Sequence, residues 1–296
     1  MNDIIMHINY GELTFNSFGK NSIEDIVKMA VTIGYDGIEF RGQPPKELSN
    51  LSYEEYVDEI ARCKKKYGLK TVIMAAPLGE AIHKPKEEQS KEIDNVIKRV
   101  EYANKVCNVS VFNTFAKMIQ SNISTAPKSS YEFHGSTAAT EKDWENTVNV
   151  FKKIGKELET LGVKFAFETH MNFIHDIPEN TKKLVDMIDC DSIGINMDFG
   201  NTVYFPNHLE LEETIDLYGD KLFYTHFKNS ILVPGVNKRI PTSLSDGEIN
   251  HRSYLIKLKE SGFVGPIGIE APRSGDKEWF AMKDFNYIKN VITCIE

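Results

Sequence analysis

Four segments of the chain share one pattern, in which a helical stretch stops at a glycine and an apolar strand follows at once. They read TIGYDGIEF from position 32, KYGLKTVIM from 66, TLGVKFAFE from 160 and ESGFVGPIGIE from 260. Their glycines, Gly34, Gly68, Gly162 and Gly262, stand where a helix commonly ends in the left-handed conformation. A chain that passes repeatedly from a helix into a buried strand is typical of an α/β fold with a parallel sheet.

The rest of the chain divides in the same way. Apolar strands are predicted over residues 4–10, 109–115, 192–198 and 222–228, and amphipathic helices over 22–33, 52–67, 87–106, 143–160, 179–189, 250–261 and 282–294. With the glycine-led strands this gives eight strand-helix units, and 296 residues divided by eight is 37 per unit. We therefore predict a single (β/α)8 TIM barrel spanning residues 1–296. The alternative, a doubly wound open sheet, lacks the Gly-x-Gly-x-x-Gly turn expected after a strand.

The strand within SIGINMDFG, residues 192–200, has two different faces. One face carries only large apolar residues: Ile193, Ile195, Met197 and Phe199. The other face carries Gly194, Asn196 and Asp198. Because successive side chains of a strand point to opposite faces, we expect the large residues to meet the helices and the others to face the barrel axis. Asp198 would then be the last inward residue of its strand.

Three other strands end in inward charge by the same alternation. The residues are Glu39 and Arg41 on the second strand, Glu168 and His170 on the fifth, and Glu270 on the eighth. A buried carboxylate is unfavourable unless it is paired, hydrogen-bonded or bound to a metal. Carboxylates that converge on one barrel mouth therefore indicate a bound cation or a cationic substrate.

The charge balance narrows the range of partners. The formal net charge is −8, the sequence pI is about 5.6, and no block of Lys and Arg occurs. Nucleic acid and anionic membrane surfaces are therefore not expected as partners. No basic segment leads into a long apolar run, and nowhere do 18 apolar residues occur together, so we expect a cytoplasmic protein. The oligomeric state stays open, with a homo-oligomer as one option.

The four cysteines do not form a recognisable motif. They are Cys63, Cys107, Cys190 and Cys294, and no Cys-x-x-Cys pair occurs. This spacing argues against a disulfide framework and against a thiolate zinc site. We expect buried or inert thiols.

Six motifs, in order along nearly the whole chain, resemble the xylose isomerase-like TIM barrels. They are GYDGIEF, the FETH strand end, MDFGN, THFKN, SLSDGEIN and GFVGPIGIE. That family includes sugar isomerases, ketose 3-epimerases, inosose dehydratases and endonuclease IV. The resemblance implies one divalent metal ion with Glu168, Asp198, His226 and Glu270 as its ligands. These residue types match those that strand alternation places inward.

Two positions depart from the family pattern. The family often has a histidine three residues after the strand-6 aspartate, where this chain has Asn201, and often a Lys-Asp pair after strand 7, where it has Lys228 and Asn229. Because asparagine is a poor metal ligand, these departures and the acidic net charge argue against a histidine-rich endonuclease site. The remaining oxygen and nitrogen ligands suit Mn²⁺, Mg²⁺, Co²⁺ or Zn²⁺.

The chemistry implied by the resemblance is proton transfer beside a sugar carbonyl. A divalent cation would stabilise the enediolate that forms when the α-proton leaves. Glu168 and Glu270 would remove and return the proton, and His170 is a further acid/base candidate with a structural role as its alternative. Strand-end candidates for binding substrate oxygens are Glu39, Arg41, Asn113, Lys228 and Arg273. The alternative for each of these is a salt bridge within the barrel rim.

Three function classes fit these residues. A metal-dependent isomerase or epimerase of a small ketose, aldose or related polyol is the leading class, and the presence of both glutamates of a proton-transfer pair argues against a protein that only binds a sugar. A lyase would lose a β-substituent from the same enediolate, as an inosose dehydratase does, or would cleave a 3-keto-C-glycoside with a partner subunit. The third class is a barrel that binds a sugar without converting it. Long loops at 116–142 and 229–249 follow strand ends and are expected to close over the site.

Overall fold

Eight parallel strands close into a barrel in the computed structural model of the chain, which describes residues 4–13, 15–16, 19–20, 22–78, 81–82, 86–121, 130–236 and 238–295. In chain order the strands are β1 (Met6–Asn9), β2 (Gly37–Phe40), β3 (Thr71–Ala75), β4 (Val111–Thr114), β5 (Lys164–Glu168), β6 (Ile193–Asp198), β7 (Leu222–Phe227) and β8 (Ile267–Ile269). Each strand pairs with its neighbours in the chain, and β1 pairs with both β2 and β8. The predicted (β/α)8 barrel is confirmed.

Eight α-helices of two or more turns lie between or after the strands in the described residues. They are α1 (Ile23–Ile33), α2 (Tyr53–Tyr67), α3 (Lys86–Cys107), α4 (Glu141–Leu161), α5 (Pro178–Ile188), α6 (Leu211–Tyr218), α7 (His251–Glu260) and α8 (Lys277–Ile295). The seven predicted helices are all present among them. The last begins at Lys277, earlier than the predicted residue 282.

The sequence pattern did not predict α6, which lies between β6 and β7. This helix has only eight residues, so its apolar positions cover about two turns and give a weak periodic signal. Leu211, Ile215 and Tyr218 are nonetheless buried. A single-turn helix, Phe199–Thr202, follows β6 directly.

The four predicted glycine stops are confirmed. The φ angle is 116° at Gly34, 73° at Gly68, 64° at Gly162 and 75° at Gly262. A residue with a side chain would be strained in this left-handed region, which is why a glycine in the sequence marks the helix end.

The predicted alternation of side chains within the strands is also confirmed. Ile38, Phe165 and Ile195, predicted to face the helices, are fully buried in the main apolar core. A separate, smaller apolar cluster contains Ile73 and Tyr224. This second cluster belongs to the inward faces of the strands and fills part of the barrel interior.

Tyr224 fits inside the barrel because its neighbour lacks a side chain. A Cβ atom at Gly268 would lie 2.0 Å from the Tyr224 hydroxyl. The inward glycine of β8 therefore leaves the space in which this tyrosine reaches the residues of the barrel mouth.

Both long loops follow the carboxyl ends of strands, as predicted. The loop after β7 contains a hairpin that pairs Asn229–Val233 with Lys238–Thr242. The loop after β4 contains short 3-10 turns at Tyr131–Phe133 and Gly135–Ala138, while residues 122–129 of the predicted loop lie outside the described residues. Closure of either loop over the site stays a prediction.

The structure also bears on the predictions about membrane segments and cysteines. No helix in the described ranges is both long and apolar enough to span a membrane. All four cysteines are free thiols, of which Cys294 is exposed and the other three are buried. A second short hairpin pairs Phe15–Asn16 with Gly19–Lys20.

Candidate metal centre

The carboxyl ends of four strands bring the candidate ligands together. β5 ends at Glu168 and β6 ends at Asp198, and Asp198 is paired across the sheet with His226 of β7. His226 is also paired with Gly268 of β8, two residues before Glu270. Because parallel strands expose their carboxyl ends on one side of a barrel, these side chains meet at the mouth where barrel enzymes build their sites.

The Nδ1 atom of His226 lies among the three carboxylates. It is 3.4 Å from Oε2 of Glu168, 3.6 Å from Oδ2 of Asp198 and 3.3 Å from Oε2 of Glu270. One ligand atom from each of the four residues lies within 4.8 Å of the others. The Glu270 side chain is 24% exposed and the other three are almost wholly buried, so the cluster opens to solvent on the Glu270 side.

These four residues fit a divalent cation by their chemistry. Three carboxylate oxygens and one imidazole nitrogen form a mixed donor set that suits Mg²⁺, Mn²⁺, Co²⁺ or Zn²⁺. Three carboxylates at such short range, two of them buried, repel one another unless positive charge lies between them. The predicted ligand set is therefore brought together as one cluster, and its occupation by a metal stays a prediction.

Glu39 orients the imidazole of His226 from the other side. Oε2 of Glu39 lies 2.6 Å from Nε2 of His226 and also accepts a 2.9 Å hydrogen bond from the Tyr224 hydroxyl. Burial opposes charging of the imidazole, but the negative charges of Glu39, Glu168 and Glu270 outweigh it and raise the pKa of His226 well above its usual value. Since Nε2 donates its proton to Glu39, Nδ1 is the nitrogen that faces the carboxylates.

Lys228 places its ammonium group inside the cluster. Its Nζ atom is 2.6 Å from Oδ2 of Asp198, 2.8 Å from Oε2 of Glu270 and 3.2 Å from Oδ1 of Asn201. Burial favours the neutral amine, but the nearby carboxylates outweigh it and raise the pKa of Lys228 well above its usual value. Burial likewise opposes ionisation of Glu270, yet the charges of Lys228 and His226 lower the pKa of this carboxyl.

The stem of Lys228 reaches the cluster past Gly200. A Cβ atom at position 200 would lie 2.0 Å from Cγ of Lys228. The glycine of the MDFGN motif therefore leaves the space through which the lysine passes.

Asparagine side chains hold the carboxylates in place. Nδ2 of Asn113 donates to Oε1 of Glu39 at 3.1 Å and to Oε2 of Glu168 at 2.7 Å, while Asn196 donates to Oδ1 of Asn113 at 3.1 Å. Nδ2 of Asn201 donates to the other oxygen of Glu168 at 3.2 Å. Each oxygen of Glu168 thus accepts a hydrogen bond from a different asparagine, which fixes its orientation.

Two residues predicted to bind substrate oxygens lie deep in the barrel. Glu39 is 3% exposed and Asn113 is 2% exposed, and their polar atoms bond to His226 and Glu168. Asn201 was not among the predicted site residues, because the sequence showed it only as a departure from a family histidine. Its backbone N–H also donates to Oδ1 of Asp198 at 3.0 Å, so it contacts two candidate ligands.

Three predicted site residues lie apart from the cluster. Arg41 is exposed and lies one residue beyond β2, which ends at Phe40, so its inward orientation and its contact with substrate stay predictions. Arg273 forms an ion pair with Asp284. His170 is partly buried, with its Nδ1 atom 2.9 Å from the carbonyl oxygen of the next residue. In the described contacts, none of the three touches a candidate ligand.

His175 supports the cluster and was not predicted. Its Nδ1 atom donates to the carbonyl oxygen of Glu168 at 2.6 Å, and its Nε2 atom accepts from the backbone N–H of Ala116 at 2.9 Å. Burial lowers the pKa of His175 to about 3, so the ring is neutral and can both donate and accept. No pattern in the sequence marks this residue, since it lies in a loop beyond the strand alternation.

The chain is similar to named proteins along most of its length. The inosose dehydratase of Clostridium perfringens is 22% identical over 289 residues, which cover 91% of this chain and 90% of that protein. The solved structure of the probable 3-DHS dehydratase involved in petrobactin synthesis in Bacillus anthracis gives a TM-score of 0.73 at 16% identity, covering 96% of this chain and 98% of the other.

Two further solved structures have the same fold. A xylose isomerase-like TIM barrel protein of Mycobacterium smegmatis in complex with magnesium gives a TM-score of 0.73 at 17% identity, over 99% of this chain and 98% of the other. The D-psicose 3-epimerase of Clostridium cellulolyticum H10 with D-tagatose gives a TM-score of 0.69 at 16% identity, over 98% of this chain and 99% of the other. The family model described as xylose isomerase-like TIM barrel matches residues 27–290. The chain therefore belongs to the xylose isomerase-like TIM barrel family.

Proposed function

We propose that the protein is a divalent-metal-dependent sugar isomerase or epimerase, which moves a proton beside the carbonyl group of a small polyhydroxylated compound. The observation that carries this proposal is the cluster of Glu168, Asp198, His226 and Glu270 at the barrel mouth. Two of its carboxylates lie at the end of β5 and directly after β8, and β6 and β7 lie between these strands in the barrel. The two carboxylates therefore approach one space from different directions, as a proton-transfer pair requires.

The cation would be held by Glu168, Asp198, Glu270 and Nδ1 of His226. When bound, it would polarise the substrate carbonyl and stabilise the negative charge that develops as the proton leaves. The side chains around it keep this geometry, since Glu39 orients His226 and two asparagines orient Glu168. Such preorganisation reduces the rearrangement needed during reaction.

The two glutamates would exchange the proton. Asn113 and Asn201 hold Glu168 in one orientation, so its carboxylate is positioned to accept a proton from the substrate carbon. Glu270 is kept ionised by its positive neighbours and is partly exposed, so it can act from the solvent side. The ammonium of Lys228, which contacts Asp198 and Glu270, would donate a hydrogen bond to a substrate oxygen beside Glu270.

A dehydratase is the second candidate. It is favoured by the similarity to inosose dehydratase over 91% of this chain. Removal of the same proton gives the same enediolate, and loss of a β-hydroxyl in place of reprotonation gives elimination. Cleavage of a 3-keto-C-glycoside with a partner subunit would follow the same logic. A barrel that only binds a sugar is disfavoured, because it would not need both glutamates.

Proton NMR in D₂O tests the proposal directly. The metal-loaded protein is incubated with D-fructose, D-tagatose, D-xylose and 2-keto-myo-inositol. Deuterium at the α-carbon together with a new epimer or isomer supports the leading function, and a new alkene or its tautomer supports dehydration. If no substrate of the panel exchanges an α-proton or binds, the proposal of sugar chemistry fails.

A further inference from the structure

A cleft of about 820 Å³ lies against the segment that follows Glu270 in the chain. One wall is the hairpin that begins at Asn229, one residue after Lys228. The other wall belongs to the segment between β8 and α8, and it starts at Pro272, two residues after Glu270. Both walls of the cleft therefore begin within two residues of a cluster residue along the chain.

The cleft combines apolar surface with positive charge. Its apolar lining comes from Ile240, Pro241 and Phe280. Arg273 and Lys277 line the same cleft and carry the positive charge. A pocket of this kind suits a ligand with a short carbon chain and an anionic end.

The guanidinium of Arg273 has unused hydrogen-bond donors. It is ion-paired with Asp284 through Nη2 and lies 4.5 Å from the centre of the Phe280 ring. The side chain is only 8% exposed, yet no acceptor for Nε or Nη1 is found in the described part of the chain. Buried donors are rarely left unpaired, because they have lost water without gaining an acceptor. An anionic oxygen is the acceptor that an arginine binds best.

Glu12 connects the cleft electrostatically to the metal centre. Burial, followed by the negative charge of Glu270, raises the pKa of the Glu12 carboxyl to about 7. The positive charges of Lys277, Arg273 and Lys228 act on the same carboxyl in the opposite direction. One buried side chain thus interacts with charges of both the cleft and the cluster, so the two lie in one electrostatic neighbourhood.

We propose that this cleft is an anion subsite, in which Arg273 and Lys277 bind a carboxylate or phosphate at the end of the substrate remote from its reacting carbonyl. This inference rests on the proposed function, because it takes the metal centre as the place of the carbonyl. The substrate is then an acidic sugar or sugar-like compound. The apolar lining packs against the carbon chain between its two ends.

Binding of three ketoses that share one carbonyl end tests the subsite. D-fructose is neutral, D-fructose 6-phosphate carries a phosphate and D-fructuronate carries a carboxylate. Calorimetry with the Mg²⁺-loaded protein at low ionic strength should give a dissociation constant at least about tenfold lower for one of the two anionic ketoses than for D-fructose. The tighter of the two identifies the anion.

Variants assign the preference to the cleft. The ratio to follow is the dissociation constant of D-fructose divided by that of the tighter anionic ketose. In Arg273→Gln this ratio should fall to about one, and Lys277→Gln should reduce it in part. Arg252→Gln, which removes an exposed arginine of α7, is the control and should keep the wild-type ratio. Asp284 is buried, so Arg273→Gln alone would leave its carboxylate without the ion pair. The double variant Arg273→Gln, Asp284→Asn is therefore measured as well, because it leaves no unpaired carboxylate.

The outcomes separate this inference from the proposed function. A ratio near one in the wild-type protein, or a wild-type ratio in either folded Arg273 variant, overturns the anion subsite. Absence of α-proton exchange with every ketose, while the preference dependent on Arg273 persists, supports the subsite and contradicts the proposed function.

Discussion

Nε2 of His226 and Oε2 of Glu39 lie 2.6 Å apart, on the side of the imidazole away from the carboxylates of the cluster. Glu39 comes from β2 and His226 from β7, so this contact joins two strands across the barrel. A carboxylate behind a ligating histidine fixes the ring and makes the facing nitrogen a better ligand. The strength of the metal site should therefore depend on Glu39, although Glu39 does not itself belong to the ligand cluster.

Glu39→Gln should weaken metal binding without unfolding the protein. The amide can still accept from Nε2, but it loses the negative charge that favours the ligating form, so we expect affinity to fall by about 10-fold to 100-fold. Titration of the metal-free protein with Mn²⁺ gives the dissociation constant. Glu157→Gln, at an exposed position of α4, is the control, and equal affinities in both variants would argue against the role of Glu39.

Lys228→Met should destabilise the metal-free protein more than the metal-loaded protein. Without metal, the ammonium is the positive charge beside Asp198 and Glu270, and removal of one partner from a buried ion pair costs about 3–5 kcal/mol. With metal bound, the cation supplies the missing charge. Urea unfolding with EDTA and with Mn²⁺ measures the free energy of unfolding that the variant loses in each condition. Lys238→Met is an exposed control. Equal losses in the two conditions would show that Lys228 does not balance the cluster.

The part of the stability that depends on three buried neutral histidines should fall as pH decreases from about 7.5 to about 5.5, while Glu12 and His226, whose pKa values are raised in the folded protein, act in the opposite direction. Burial lowers the pKa of His7 and His175 to about 3 and that of His251 to about 4. Below pH 6.5 the unfolded chain binds protons at these positions and the folded chain does not, so protons favour unfolding. Each histidine should lower the free energy of unfolding by about 1.4 kcal/mol over this pH interval.

His251→Gln isolates one of these contributions. His251 packs against Phe227, the residue after His226, and its ring donates a hydrogen bond to the carbonyl oxygen of Leu244. Between about pH 7.5 and about pH 5.5, the free energy of unfolding of the variant should fall by about 1.4 kcal/mol less than that of the wild type. Urea unfolding at both pH values gives the difference, and the same pH dependence in both proteins would contradict the assignment.

Glu168→Gln and Glu270→Gln should each stop turnover while the protein stays folded. Glutamine keeps the shape and an oxygen ligand but cannot accept the proton. One of the two variants should still incorporate deuterium at the α-carbon, because the remaining glutamate serves one face of the substrate. NMR in D₂O with the metal-loaded variants measures both product formation and deuterium incorporation. If both variants keep most of the wild-type turnover, the two-glutamate mechanism is wrong and His170 is the next residue to test.

The parts of the site that lie within strands could be predicted from the sequence. Alternation with period two placed Asp198 and Glu168 inward, and both are buried in the cluster. The same rule does not extend to Arg41, because β2 ends at Phe40 and sequence patterns locate strand ends poorly.

Other parts depend on contacts between distant segments. His175 supports Glu168 from a loop, and no local periodicity applies to loop residues. The role of Glu39 behind His226 depends on which strands face each other across the closed barrel. The residue type was visible in the sequence in each case, but the partner was not.

Metal content is the most direct test of the central claim that four strand ends form one divalent metal site. Metal-free protein is loaded with Mn²⁺, freed of excess ion and analysed by mass spectrometry, alongside Asp198→Ala and an exposed control, Asp216→Ala. We predict one ion per chain in the wild type and the control, and a loss of most of the bound metal in Asp198→Ala. Equal metal content in all three folded proteins would contradict the assignment of this cluster as the metal site.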